Sequence, residues 1–293
     1  MNSPTYGNRT PAGKRRRDLR RRLSGGPILV VPGAFNAACA RLVERHGFKA
    51  VYVSGAATSA GALGLPDIGL MTLDEAAGQA ECIAAAVDIP AIADADTGFG
   101  EGVNVPRAVR RFESRGLAAI HIEDQVLPKR CGHLPGKELV PRALLVDKIR
   151  RAVAARTDRD FLIIARSDAR AVNGLRDMLA RLEACVAAGA DAVFPEALLT
   201  LKEYEKVARA LEVPVIANMT EFGRTPLFTT REFAEAGCRA VLFPVSLLRV
   251  ALGAADRALA VLRREGGQAQ LLPEMLDRQS LYRLLGYDPA RPS

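Results

Sequence analysis

The chain has 293 residues, a formal charge of +8, five cysteines and no tryptophan. Its 49% apolar and 25% charged residues are the balance of a globular chain. No apolar run approaches the roughly 20 residues of a membrane span, and the first 25 residues lack the apolar segment of a secretory signal.

Residues 1–23 form a basic arm. Arg9, Lys14, Arg15, Arg16, Arg17, Arg20, Arg21 and Arg22 stand against Asp18 alone, so +7 of the +8 lies before residue 23. The arm carries one aromatic residue, Tyr6, and no nucleic-acid motif. It reads as a solvated tail leading into a first helix. Nucleic acid is not expected as a partner, and deleting residues 1–22 is expected to leave any activity intact.

Residues 24–293 read as one domain. A first apolar strand, Ile28–Val31, is followed by an amphipathic helix over Ala37–Arg45. Four times a helical stretch then ends in glycine, and an apolar strand opens about three residues later. These glycines are Gly47, Gly116, Gly189 and Gly237, leading into strands at Ala50–Tyr52, Ala119–His121, Ala192–Phe194 and Ala240–Leu242. A glycine that ends a helix in the left-handed conformation and turns the chain into a buried strand accounts for the pattern. Ala91–Asp94, Phe161–Arg166 and Val215–Asn218 supply three further strands. Val105–Ser114, Ala143–Ala155 and Leu175–Ala187 have helical length and periodicity. Eight short apolar strands alternating with helices predict an α/β fold, an eight-stranded β/α barrel of the TIM type. An open doubly wound sheet is the second possibility, disfavoured because no glycine-rich phosphate loop follows the first strand. Leu247–Arg264 and Leu271–Leu285 read as extra C-terminal helices that cap the barrel or dock on another subunit.

Barrel chemistry sits where strands run into the βα loops. There the sequence places Tyr52 and Ser54, Asp94 and Asp96, His121 and Glu123, Arg166 and Asp168, Glu196, and Asn218 and Thr220. Asp94 and Asp96, two residues apart, leave their strand on one side. With Glu123 they make an all-oxygen cluster suited to magnesium or manganese held partly through water; the alternative is an Asp-rich turn. A long segment punctuated by Pro128, Gly132, Pro135 and Gly136 follows the fourth strand and has the character of a closing loop. In it Cys131 lies among Lys129, Arg130 and His133, cations expected to lower the thiol pKa for proton transfer. Nucleophilic Cys–His chemistry is the other reading. The remaining cysteines, Cys39, Cys82, Cys185 and Cys238, read as packing residues. With an odd count and no CxxC pair, the five argue for a reducing, cytoplasmic compartment and against a disulfide framework.

Ser54-Gly55, Gly64-Leu65-Pro66-Asp67, Asp94-Ala95-Asp96, His121-Ile122-Glu123-Asp124-Gln125 and Lys129-Arg130-Cys131-Gly132-His133 resemble the isocitrate lyase and phosphoenolpyruvate mutase superfamily, over residues 24–287. Phe194-Pro195-Glu196-Ala197 and Asn218-Met219-Thr220-Glu221-Phe222-Gly223 are most similar to its 2-methylisocitrate lyases. The resemblance implies magnesium-dependent cleavage of 2-methylisocitrate to pyruvate and succinate, in propionate breakdown through the methylcitrate cycle. It implies a C-terminal helix swapped between subunits of a homotetramer, and a small polycarboxylate as substrate. It makes Cys131 the acid that completes succinate, with Lys129 and His133 beside it, and Tyr52 a candidate base. Ser54, Gly55, Ala56, Asp67, Gly132, Arg166, Glu196, Asn218, Met219, Thr220, Arg249 and Arg278 are the implied substrate contacts. Where the family has Ser-Gly-Gly-Gly, this chain has Ser54-Gly55-Ala56-Ala57. The sister activities are carboxyphosphonoenolpyruvate phosphonomutase, 2,3-dimethylmalate lyase and oxaloacetate decarboxylase. A non-catalytic barrel that binds through its basic arm is the reading from another class.

Overall fold

The computed structural model describes residues 10–290. In chain order the elements are α1 Ala12–Ser24, β1 Leu29–Ala34, α2 Ala37–Arg45, β2 Val51–Val53, α3 Gly55–Leu63, α4 Leu73–Ala86, β3 Ala91–Asp94, α5 Asn104–Ser114 and β4 Ala119–Ile122. There follow α6 Arg142–Ala155, β5 Leu162–Ser167, α7 Leu175–Ala187, β6 Ala192–Pro195, α8 Leu201–Ala210, β7 Ile216–Asn218, α9 Thr230–Glu235, β8 Ala240–Phe243, α10 Ser246–Glu265 and α11 Arg278–Leu285. All eight predicted strands form. They pair in parallel in the order β6-β5-β4-β3-β2-β1-β8-β7, and a bridge from Val193 to Val215 joins β6 to β7. This is the expected β/α barrel. The glycines that end the preceding helices do adopt positive φ, from 82° at Gly116 to 102° at Gly189, a conformation closed to most side chains.

Strand alternation sorts the residues into two layers. Val51, Ala93, Ile120, Ile163, Val193 and Ala217 face outward into the core shared with the helices. Leu29, Val31, Tyr52, Ile92, Leu162, Ile164, Phe194, Ile216 and Leu242 fill the barrel interior. Continued past the strand ends, the inward register reaches the polar residues at the C-terminal mouth.

The basic segment is no solvated arm from Ala12 onward. Leu19 and Leu23 of α1 are buried and join the interior cluster, so the helix plugs the N-terminal end of the barrel. Its arginines serve this docking. Arg15 donates to the carbonyls of Ala84 and Val87 at the end of α4. Arg16 donates to those of Glu113 and Leu117 at the end of α5 and pairs with Asp158 at 3.0 Å. Helix-end carbonyls without intrahelical partners are thereby satisfied. Deleting residues 1–22 would remove this plug, so the expectation of an inert truncation is reversed. Leu19→Ala should cost about 2–5 kcal/mol, the range for a large side chain removed from a packed core, read as a lower midpoint in urea unfolding.

At the other end, α10 buries only Leu248 among its 20 residues. Leu252, Leu259 and Leu262 are exposed. The stretch expected as one helix over Leu271–Leu285 is two pieces. A 3₁₀ turn at Ala269–Glu274 contains Pro273, and α11 starts afresh where Asp277 Oδ1 accepts from Ser280 N at 2.9 Å.

Candidate active site

The inward register brings the predicted polar groups together at the mouth. Tyr52 Oη lies 2.8 Å from His121 Nε2, with the two rings stacked. His121 Nε2 is 3.6 Å from Asp94 Oδ1. Burial lowers the His121 pKa to about 4, against the pull of Asp94, so the imidazole is neutral at neutral pH. Burial, reinforced by the Asp94 charge, pushes the Tyr52 phenol well above its ordinary value. Tyr52 is therefore protonated at rest, and as a candidate base it would have to pass its own proton on as it takes another.

Asp94 stays ionised, its pKa about 2. Burial opposes ionisation, and His121, Lys129 and Arg166 facing it, together with the Asp96 N–H, outweigh that burial. Burial and the neighbouring Asp94 raise Asp96 to about 6, against the pull of Lys129. Asp96 has φ 46°, an uncommon conformation for a residue with a side chain. Lys129 Nζ sits between Asp96 Oδ1 at 2.6 Å and Asp67 Oδ1 at 2.5 Å. Asp94 also packs against the start of α3, where a Cβ on Gly55 would come within 2.7 Å of its Oδ2. Ser54 caps that helix, its Oγ accepting from Ala57 N at 3.2 Å, and Ala56 is half-buried beside it.

Arg166 is the hub. Its Nε is 3.0 Å from Asp168 Oδ2 and 3.2 Å from Glu123 Oε2, its Nη2 is 3.2 Å from Glu196 Oε2, and the guanidinium lies over the Phe194 ring. Burial would favour neutral Glu196, but the charge of Arg166 and the hydrogen bond from His133 hold its pKa far below the usual range. Asn218 Nδ2 donates to Glu196 at 3.1 Å.

The segment after β4 is folded over this mouth. Its base is zipped by Gln125 against Leu139, with Val126 N donating to Glu138 O. Gln125 also holds Arg130 through both main-chain groups. At the tip, His133 Nε2 meets Glu196 Oε1 at 3.0 Å, and His133 Nδ1 accepts from Arg224 N at 3.0 Å. A Cβ on Gly132 would lie 2.6 Å from Arg166 Nη2 and 2.7 Å from Glu196 Cγ, so only glycine allows the backbone this close. Cys131 is partly buried within reach of the charges of Asp67, Glu196 and Arg166. Its thiol pKa is raised, by burial first, rather than lowered as expected from its cationic neighbours. Burial, with the charges of Asp67 and Glu196, outweighs the His133 main-chain hydrogen bond and the Arg166 charge.

Some expected residues do not join the group. Met219 sits one residue past Asn218 and faces the outer core, its sulfur accepting from Phe228 N. Thr220, by contrast, does join it, buried beside Gly223 and the His133 ring. Arg249 is half-exposed at the rim, over the Phe222 ring and 3.7 Å from Glu221. Arg278 is exposed in the first turn of α11, a helix that packs on α2. Cys82 is exposed, whereas Cys39, Cys185 and Cys238 are buried as expected. Sequence reading missed the weight of two groups. Asp168 holds Arg166, and Lys137, from the proline- and glycine-punctuated segment after the fourth strand, is buried with its ammonium on Asp168. Only the inward register of β5 signalled Asp168; nothing local signalled Lys137.

Among the described residues no three of His, Cys, Asp and Glu come together as a ready metal cluster. The donors nevertheless suit an ion of the magnesium class, which binds through one or two carboxylates and keeps several waters. Asp94 is ionised; Glu123 Oε1 has no hydrogen-bond partner, its Oε2 has the Arg166 ion pair at 3.2 Å, and burial pushes the carboxyl well above its ordinary pKa. The unmatched Oε1 offers an oxygen donor to a cation, which would also favour the ionised carboxylate.

Residues 19–263 match the family described as phosphoenolpyruvate phosphomutase. A 2-methylisocitrate lyase of Aeropyrum pernix is 48% identical over 269 residues, covering 92% of this chain and 86% of that one. Among solved structures, 2,3-dimethylmalate lyase has a TM-score of 0.88 at 37% identity, covering 95% of this chain and 93% of its own. A phosphonopyruvate hydrolase complexed with oxalate and Mg++ has a TM-score of 0.83 at 31% identity, covering 93% and 95%.

Proposed function

The chain belongs to the phosphoenolpyruvate phosphomutase family, and from that footing we propose that it is a carbon–carbon lyase cleaving 2-methylisocitrate to pyruvate and succinate. The observation that carries this reading is the seating of Gly132, next to Cys131, against Arg166 and Glu196, with Cys131 partly buried within reach of the charges of Asp67, Glu196 and Arg166. That arrangement suits a polycarboxylate that breaks into an oxo acid and a carbanion needing a proton. Relatives named 2-methylisocitrate lyase, 42–48% identical over most of the chain, support the substrate.

A divalent metal of the magnesium class, held by Asp94, Asp96 and Glu123 partly through water, would supply Lewis acidity that eases deprotonation of the substrate 2-hydroxyl. Arg166 and the N–H groups of Gly55 and Ala56 take the carboxylates, with Ser54, Gly132, Asn218 and Thr220 completing the cradle. Tyr52 Oη receives the hydroxyl proton as its own passes to the neutral His121 Nε2 at 2.8 Å. Cys131 then protonates the departing fragment. Lys129 and His133 hold the loop that carries it, through Asp67, Asp96 and Glu196.

Purified protein with Mg²⁺ is expected to release a 2-oxo acid from 2-methylisocitrate faster than from isocitrate, 2,3-dimethylmalate or oxaloacetate, and to stop when the metal is chelated. A missing methyl is worth only about 1–3 kcal/mol, so isocitrate should be a slow substrate. Preference for another acid in the panel would overturn the assignment.

The enzyme is read as a homo-oligomer, with α10 and α11 docking on a second copy and Arg249 and Arg278 placed at that junction. The exposed stripe Leu252, Leu259 and Leu262 supports this. A monomeric mass by light scattering would contradict it. Among the described residues no helix is long and apolar enough to cross a membrane. Five unpaired cysteines support placing the enzyme in the reducing cytoplasm.

A further inference from the structure

Lys137 is the most completely buried cation near the mouth that the proposed reaction leaves without a task. Its side chain is 1% exposed, and Asp168, its ion-pair partner at 2.8 Å, is fully buried. The same ammonium donates to the main-chain carbonyl of Gly132. Gly132 follows Cys131 directly and is the residue whose Cα abuts Arg166 and Glu196. Asp168 in turn holds Arg166 Nε at 3.0 Å. One ammonium thus joins the backbone of the thiol-bearing loop to the strand that carries Arg166. A lysine in a turn rich in proline and glycine is ordinarily solvated. Burying this one requires both of its acceptors, and both belong to the site.

We propose that Lys137 is the positioning residue of this enzyme. It pins the Gly132 carbonyl to Asp168, setting the height of the Cys131 thiol over the mouth and fixing the Arg166 fork at the same time. The proposal rests on the lyase reading for its kinetic part only. His133 and Lys129 hold the tip through side chains, to Glu196 and to Asp67 and Asp96. Lys137 alone of these cations grips the loop by its main chain next to the thiol. Loss of that grip leaves every reacting group present but misplaced.

The test is Lys137→Met, which keeps the length and removes the charge. Turnover of 2-methylisocitrate should fall about a hundredfold, the scale of a misplacement near one ångström, with KM changed far less. Cys131 should react with iodoacetamide about tenfold to a hundredfold faster, as expected when a charge-assisted hydrogen bond restraining the loop is lost. The exposed Cys82 serves as an internal standard in the same digest. Trypsin should also cut the Arg130–Cys131 bond sooner.

Lys137→Met/Asp168→Asn removes both members of the ion pair; because Asp168 also holds Arg166 at 3.0 Å, alkylation and proteolysis rather than turnover report the grip on the loop in this variant. The proposal expects its Cys131 still to alkylate fast and its turnover to stay low. Wild-type turnover in either variant, or lost turnover with unchanged Cys131 alkylation, would overturn the proposal. Should the single variant not fold, the double variant carries the alkylation and proteolysis readouts. If the wild-type protein does not cleave 2-methylisocitrate, the lyase reading fails, while alkylation and proteolysis still decide whether Lys137 holds the loop.

Discussion

Cys131→Ser should lower turnover by about two to four orders of magnitude, the range contributed by a positioned general acid, while substrate still binds within a few-fold of wild type. The hydroxyl occupies the place of the thiol without new bulk, so the cradle of Arg166, Asn218 and the α3 amides is untouched. What changes is acidity, because an alcohol is a far weaker proton donor than a thiol. The environment of Cys131 fits a donor and not a resting nucleophile: burial and the carboxylates of Asp67 and Glu196 hold the proton on sulfur. The sign of the pH dependence follows. The acid form is complete through neutral pH, so the contribution of Cys131 to the profile is a fall in kcat as pH rises through a thiol pKa above the ordinary range. Steady-state kinetics with calorimetric binding of substrate to the variant checks both halves. Near-wild-type kcat, or loss of binding equal to the loss of rate, would remove Cys131 from the role.

Arg166→Met is expected to act on stability as well as turnover. The guanidinium faces Glu123, Asp168 and Glu196 within 3.0–3.2 Å, and these carboxylates are almost wholly buried. Removing one partner of a buried ionic group leaves uncompensated charge, a loss of about 3–5 kcal/mol. Lys137 and His133 still face Asp168 and Glu196, which should keep the variant folded at low temperature. Turnover should fall below detection, since the bidentate contact to a substrate carboxylate is gone. Arg166→Lys should recover most of the stability and little of the rate, because an ammonium is a point charge and cannot serve two directions at once. Urea unfolding beside kcat/KM measures the two effects separately. A Lys variant as active as wild type would show that charge alone suffices there.

The barrel was legible because its signals are local. A glycine that must adopt positive φ closes four of the αβ turns, and the apolar run after it marks a strand. The bounds of α2, β3 and α7 coincide with those read from the pattern. Much of the site was legible for the same reason, since a period of two continues past each strand end. It carries Tyr52 and Ser54, Asp94 and Asp96, His121 and Glu123, and Arg166 and Asp168 inward. The same period excludes Met219, which lies an odd number of residues from Ile216 and faces the helices.

What the chain order could not reveal depends on which distant groups closure brings together. Cys131 sits among cations in sequence, yet Lys129 is balanced by Asp67, 62 residues away, and burial decides the direction of the thiol pKa. Lys137 has an unremarkable setting in sequence, and only the barrel delivers Asp168, 31 residues on, to its ammonium. The basic start of the chain shows the same division. The sequence by itself determined that +7 of the +8 charge lies there. The tertiary structure decided that Leu19 and Leu23 plug the barrel and that Arg15 and Arg16 satisfy helix-end carbonyls. Periodicity is a property of neighbouring residues, whereas burial and charge balance are properties of the neighbours that folding supplies.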